Sequence, residues 1–347
     1  MVNKKDRKQI ASFSEVLSLI SELPGPDNES RKAAADRESE LTKPQGALGK
    51  LEKIVDWLSA WQGQYPPRLN HPRTAVFAGN HGVAELGVSA FPSSVTSQMV
   101  ENFIAGGAAV NQLCRVFDAD LRIYELDLNQ PTADFTQGPA MTEEECAHAM
   151  AYGMMAVEPG LDVLCLGEMG IGNTTSAAAI SLALFGGKAE EWVGMGTGIS
   201  SDTMSTKIKV VKKACRLHSG TQGHPLNIFA ALGGLELAAI LGAILAARLA
   251  RVPVVLDGFA CTVAAAVLFA IQPNSIDHCL ISHCSVEQGH RKLIQNIGME
   301  PLLDLGMRLG EGSGATLALG IIRAAIECHV GMATFETASV SKANKPE

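Results

Sequence analysis

From about residue 74 onward, short runs of apolar and β-branched residues alternate with longer stretches whose apolar positions recur at helical spacing. The runs Thr74–Ala78, Leu121–Leu126, Leu161–Leu166, Glu191–Gly194, Pro253–Leu256 and Cys279–Ser282 predict strands. Between them, Ser94–Phe117, Thr142–Val157, Thr174–Phe185, Asp202–His218 and Leu226–Ala250 predict helices, and Thr142 followed by Glu145 reads as a capping box. Strands separated by helices imply a parallel sheet covered on both faces, because parallel strands need crossover connections. The fold class expected is therefore α/β, doubly wound.

The ends carry a different pattern. Residues 8–22, 29–39 and 48–62 read as helices, broken by Leu23-Pro24-Gly25-Pro26 and Lys43-Pro44-Gln45-Gly46, and 286–335 reads as helical again. This gives a helical flank over 1–65, an α/β sheet domain over 66–285 and a second helical flank over 286–335. The two flanks are expected to pack together as a small domain, and 336–347 has no core-forming pattern and reads as a disordered tail.

Composition narrows the function classes. In 347 residues, 28 basic against 36 acidic side chains give a net charge of −8. No Lys/Arg stripe with interleaved aromatics marks a nucleic-acid binder, so an anionic ligand must be held by a local site. The segment Leu226–Ala247 is apolar enough to raise a membrane span, but Glu236 interrupts it and Ala and Gly dominate, which favours a buried helix. Met1–Val16 has charges and no apolar leader pattern, and the eight cysteines form no CxxC pair or close-set framework. Both readings point to the cytoplasm.

The unusual residues fall where strands end. All the expected strands but the second run into a glycine-rich or polar segment: Gly79-Asn80-His81-Gly82, Gly167–Thr175, Gly194–Gly198, Asp257-Gly258 and Ser282–Ser285. In an open parallel sheet these segments gather at the carboxyl edge, where ligands bind. Gly167–Thr175 has the most specific pattern, since glycines let successive backbone N–H groups and a helix start converge on a phosphate. Its GxxxxGNT spacing resembles a Walker A loop, but Asn173 stands in place of the lysine that serves β and γ phosphates, which argues for a monophosphate. The alternative is a plain strand-to-helix turn with Asn173 as N-cap. Gly194–Gly198 is either a second anion-facing loop or an ordinary turn, and Lys207 either reaches that rim or is a solvated helix residue. His278, Cys279, His283 and Cys284 do not have the spacing of a structural zinc site, and a strand ending in a hydrogen-bonded His283 is simpler. Glu311, set among Gly310, Gly312 and Gly314 before an Ala/Leu-rich stretch, reads equally as a charge offsetting a helix dipole or as a general base.

Together these residues resemble the nicotinate-nucleotide:dimethylbenzimidazole phosphoribosyltransferase family. The resemblance is carried by Leu41-Thr42-Lys43-Pro44 with Gly46, Leu48-Gly49 and Leu51-Glu52; by Phe77-Ala78-Gly79 and His81-Gly82-Val83 with Gly87-Val88-Ser89 and Phe91-Pro92; and by Gly167–Thr175, Gly196-Thr197-Gly198, Asp257-Gly258, Ser282-His283 and Arg308–Gly312. It implies a homodimeric, metal-free and cofactor-free transferase with a mostly parallel, Rossmann-like sheet and a small helical domain from both chain ends. The substrates it implies are nicotinate mononucleotide and a benzimidazole, with no nucleic acid and no membrane span involved.

Residue by residue, the resemblance makes Glu311 the catalytic base and Gly170, Ile171, Gly172, Asn173 and Thr174 the phosphate cradle. Gly196, Thr197, Gly198 and Lys207 fall on the phosphate and ribose side, with Glu168 and Asp257 as supporting polar residues. Phe91, Gln98, Met169 and Leu309 fall in the aromatic-base pocket. The sequence departs from the family at Asn80, where Asp is common, and at Met195, where Arg is common. The expected reaction yields nicotinate and α-ribazole 5′-phosphate for the cobalamin nucleotide loop. The competing readings are the same chemistry on another lower-ligand base and a non-catalytic nucleotide-binding scaffold.

Overall fold

The structure, a computed structural model, describes residues 11–196, 198–221 and 223–341. One sheet is built from β1 (Pro72–Ala78), β2 (Asp120–Glu125), β3 (Val163–Met169), β4 (Val254–Leu256), β5 (Cys279–His283) and β6 (Pro301–Leu303). The strands lie in the order β2-β1-β3-β4-β5-β6 and every adjacent pair is parallel. Successive side chains point to opposite faces. Phe77, Leu166 and Leu256 thus join the larger core, while Val163, Cys165 and Val255 meet the helices Lys50–Gln62 and Ser313–Gly331 on the other face. The order reverses between β1 and β3, and the carboxyl-end crevice at such a switch point is where open parallel sheets take ligands.

Several expected elements change. Glu191–Gly194 is not a strand: Ala189–Trp192 is a helical turn, fixed by the Lys188 N–H donating to Glu191 Oε2 at 2.6 Å and by the buried Trp192, whose Nε1 donates to Gly186 O at 2.8 Å. Ser94–Phe117 divides into Ser94–Ala105 and Ala109–Phe117 at Gly106, whose φ of 81° ends the first helix. Leu226–Ala250 divides into Pro225–Leu232 and Leu235–Leu249 at Gly233-Gly234. The flank 286–335 is not wholly helical, because β6 lies between Gln288–Ile297 and Ser313–Gly331.

The chain ends meet in part. Arg37 donates to the carbonyls of His329, Val330 and Met332, and Leu41 forms an antiparallel bridge with Thr334. Helix Phe13–Ser21 instead buries Phe13, Val16 and Ile20 in the larger core, beside helix Glu143–Met154. Of the expected helix 8–22, residues 8–10 lie outside the described residues, as do residues 1–7. The described part of the expected tail is a hydrogen-bonded turn, with Ala338 N–H donating to Thr334 O at 3.0 Å and Val340 N–H to Phe335 O at 3.0 Å. Residues 342–347 lie outside the described residues. Ser313–Gly331 is long and apolar enough to cross a membrane by length and composition, but it packs on β3, β5 and helix Lys50–Gln62.

Candidate active site

Strand β3 ends at Met169, and helix Asn173–Phe185 begins four residues later, so Gly170-Ile171-Gly172 form a tight turn at the sheet's carboxyl edge. Gly172 is the N-cap at φ 101°, a conformation that favours glycine. The Ile171 N–H is taken by Thr96 Oγ1 at 3.2 Å and the Asn173 N–H by Gly170 O at 3.1 Å. No hydrogen bond among the described residues uses the N–H of Gly172 or Thr174. Asn173 is therefore not an N-cap; its amide donates to the Glu168 carboxylate.

Lys207 is 1% exposed, which rules out a solvated helix residue. Its Nζ donates to Thr174 Oγ1 at 2.8 Å and to Gly194 O at 3.3 Å. Burial pushes its pKa down to about 8, and the nearby Glu287 carboxylate opposes that fall. Glu287 Oε1 accepts the Gly196 N–H at 2.8 Å while Arg308 Nη1 donates to Gly196 O at 2.9 Å, so Gly196 is held on both sides. Thr197 lies outside the described residues, and Gly198, at φ 96°, does not line the cavity described below.

Glu311 sits in a left-handed turn, with φ values of 81°, 63° and 75° at Gly310, Glu311 and Gly312. A non-glycine residue in this region is sterically costly and needs its surroundings to hold it. Asp257, at the end of β4 and fully buried, supplies the hold: Oδ2 accepts the Gly312 N–H at 2.8 Å, and Oδ1 accepts those of Gly314 at 2.8 Å and Ala315 at 3.2 Å. Burial, and then the charge of Asp257, push the Glu311 carboxyl up to about 7. Burial, followed by the charges of Asp257 and Glu236, pushes Glu168 up to about 8 against the opposing Asn173 hydrogen bond.

These groups share one cavity of about 610 Å³. Glu168, Met169, Gly170–Thr174, Gly196, Lys207, Leu309 and Glu311 line it, and Phe91 and Leu309, 49% and 55% exposed, give it an apolar rim. Besides Gly198, two expected residues do not. Asp257 lies beneath the wall as a helix anchor, and Gln98 is exposed, because Val95 and Met99, four apart on helix Ser94–Ala105, take the cavity-facing stripe and Gln98 is about 100° away. The sequence reading placed Ser285 in a strand-end segment without a role, missed Thr96 and Glu287, and gave Arg308 no role. Glu287 lies four residues beyond the end of β5, so its place just past a strand end was the available signal; Thr96 acts through a backbone contact that no pattern announces.

The residues weighed for zinc do not converge. His278 Nε2 lies 3.0 Å from Ile244 O, and His283 Nε2 lies 3.3 Å from Asp257 Oδ1, off the direction a hydrogen bond needs. Among the described residues no group of three or more His, Cys, Asp or Glu is placed to hold a metal ion.

Comparison with known proteins agrees along most of the chain. Residues 23–340 match a family model described as phosphoribosyltransferase. A protein from Brucella anthropi named nicotinate-nucleotide–dimethylbenzimidazole phosphoribosyltransferase is 55% identical over 329 residues, covering 95% of this chain and 97% of its own. A protein of the same name from Sinorhizobium medicae is 56% identical with the same coverage. The crystal structure of CobT from Thermus thermophilus superposes with a TM-score of 0.84 at 41% identity, over 91% of this chain and 100% of that one.

Proposed function

We infer the chemistry from one premise: the chain belongs to the nicotinate-nucleotide–dimethylbenzimidazole phosphoribosyltransferase family. It is a pentosyl transferase that moves phosphoribosyl from nicotinate mononucleotide to 5,6-dimethylbenzimidazole, giving nicotinate and α-ribazole 5′-phosphate for cobalamin nucleotide-loop assembly. The observation that carries our account of how it does so is Glu311, a buried carboxyl with a pKa near 7 presented into a cavity that also holds an anion-ready corner.

In this account the Gly172 and Thr174 N–H groups, at the start of a helix, and the Lys207 ammonium take the single phosphate of the donor. The flat acceptor lies between the apolar side chains of the rim. A benzimidazole ring nitrogen attacks C1′ as the C1′–N bond to nicotinate breaks. The bonding pair returns to the pyridinium ring, so the leaving group needs no proton. The acceptor's other ring nitrogen gives its N–H proton to Glu311, and attack opposite the leaving group turns a β-ribosyl donor into an α-ribosyl product. Glu311 is the catalytic residue, and Asp257 is a positioning residue that acts through the turn.

We further propose that the chain works as a homodimer in the cytoplasm. Ile104 and Val116, 72% and 71% exposed, offer apolar surface for a partner copy, and all eight cysteines are free, as a reducing compartment requires. Light scattering at micromolar concentration should give twice the chain mass, and a fully active monomer would overturn the dimer. The catalytic account is tested by incubating the protein with nicotinate mononucleotide and several bases and identifying products by mass and by anomeric configuration. An α-riboside with release of nicotinate is expected; a β-riboside would sink the direct displacement.

A further inference from the structure

His81 and Glu236 are both fully buried, with His81 Nε2 and Glu236 Oε1 2.6 Å apart. They come from distant parts of the chain, the end of β1 and the start of helix Leu235–Leu249, and neither lines the cavity. Glu236 is the charge that interrupts the long apolar stretch, so its cost in a core helix calls for a use.

Three glycines close around the pair. A Cβ on Gly170 would lie 3.2 Å from Glu236 Oε1, 3.4 Å from His81 Nε2 and 2.6 Å from Gly79 O. One on Gly79 would lie 2.9 Å from Glu236 Oε2, and one on Gly234 would lie 2.2 Å from His81 Cε1. Gly172 rests on the same histidine, its Cβ position 3.3 Å from His81 Cβ. The turn Gly170–Gly172 therefore lies directly on the His81–Glu236 pair, at the sheet's switch point between β1 and β3. Backbone in such close contact takes its shape from what lies beneath it, since packed interiors do not yield continuously.

We propose that His81 and Glu236 are positioning residues that together form the floor of the Gly170–Gly172 turn and so set the geometry with which it receives the donor's phosphate. The inference rests on our assignment of that turn to the phosphate. Its distinguishing consequence is selective: loss of the pair weakens the donor and leaves the acceptor alone, whereas a pair that only stabilises the fold would affect melting without that selectivity.

The test uses calorimetric binding of nicotinate mononucleotide, the acceptor KM and the melting temperature. Replacing both partners by apolar groups of similar size, His81→Leu with Glu236→Met, removes the pair without leaving one charge buried alone, an exchange that cores often tolerate. Donor affinity should fall by about 10- to 100-fold, the scale of losing one hydrogen bond to a charged group, with the acceptor KM unchanged. Glu236→Gln, which keeps shape and a hydrogen-bonding partner for the imidazole, should keep most of the donor affinity that the double variant loses. Wild-type donor affinity in a folded double variant overturns the proposal. If the double variant does not fold, His81→Gln decides it: a weaker donor with an unchanged acceptor KM supports the floor, and unchanged donor affinity rejects it. Failure of the wild-type protein to bind nicotinate mononucleotide at all would instead reject the phosphate assignment, and this inference with it.

Discussion

Asp257 Oδ2 accepts the Gly312 N–H at 2.8 Å, and this contact ties the end of β4 to the left-handed turn that carries Glu311. The same carboxylate anchors the first N–H groups of helix Ser313–Gly331 through Gly314 and Ala315. One buried side chain thereby fixes where Glu311 points and contributes the charge that helps raise its pKa.

Asp257→Asn removes that charge and turns one acceptor oxygen into a donor facing N–H groups. Hydrogen bonds to a charged group are worth about 1.5–3 kcal/mol each, so a lower melting temperature is expected in calorimetry. With the charge gone, the Glu311 pKa falls, and the acid limb of the kcat/KM profile should move to lower pH. An unmoved limb would mean that Asp257 does not act on Glu311 electrostatically.

Glu311→Gln keeps the size of the side chain but cannot accept a proton. A positioned base contributes about 10²–10⁴-fold, and turnover should fall by that amount with much smaller changes in donor affinity and melting temperature. Near-normal turnover would make Glu168 or a water the base.

The pH profile follows from two groups. Glu311, with a pKa near 7, must lose its proton to act, so kcat/KM should rise as the pH passes about 7. Lys207, with a pKa near 8, loses its charge above that value, so the profile should turn down there. Lys207→Met should flatten the descending limb and weaken the donor more than the acceptor, as steady-state kinetics across pH would register.

Stability has its own pH dependence through Glu168. Folding raises its pKa from 4.5 to about 8, so the folded chain holds this proton more tightly than the unfolded chain. The resulting stabilisation is complete below about 4.5 and is lost as the pH rises through about 8. Glu311, raised in the same direction, adds to the trend. Thermal melting of Glu168→Gln should therefore lose less stability between about pH 5 and 9 than the wild type.

Gly170→Ala is expected to act on the fold before it acts on the ligand. The new Cβ would lie 2.6 Å from Gly79 O, a backbone atom, and overpacking of this kind costs about 1–3 kcal/mol. A larger residue such as Val at this position is therefore not a clean probe of phosphate binding. Weakened donor binding without any drop in melting temperature would show that the turn relaxes more easily than its packing suggests.

Alternation of apolar runs with helical stretches was enough to place five of the six strands and the parallel α/β class, because crossover connections leave few other ways to bury both patterns. The positions of the glycine-rich segments at strand ends were enough to gather Glu168 and Gly170–Thr174 at one edge, while only the family resemblance assigned Lys207 and Glu311 to it. Short elements were ambiguous where local chemistry was weak: β6 has three residues, and Glu191–Gly194 forms a turn because Trp192 finds a buried seat that no local pattern reveals. Tertiary structure alone decided that Asp257 supports the wall and does not line it, that Gln98 turns away while Val95 and Met99 face inward, and that Glu287 and Arg308 hold Gly196 between them. It also paired His81 with Glu236 across 155 residues of sequence. Each of these depends on which side of a helix or strand meets which neighbour from a distant part of the chain. A periodic pattern fixes the face that is buried; the partner on that face is set only when the whole sheet is assembled.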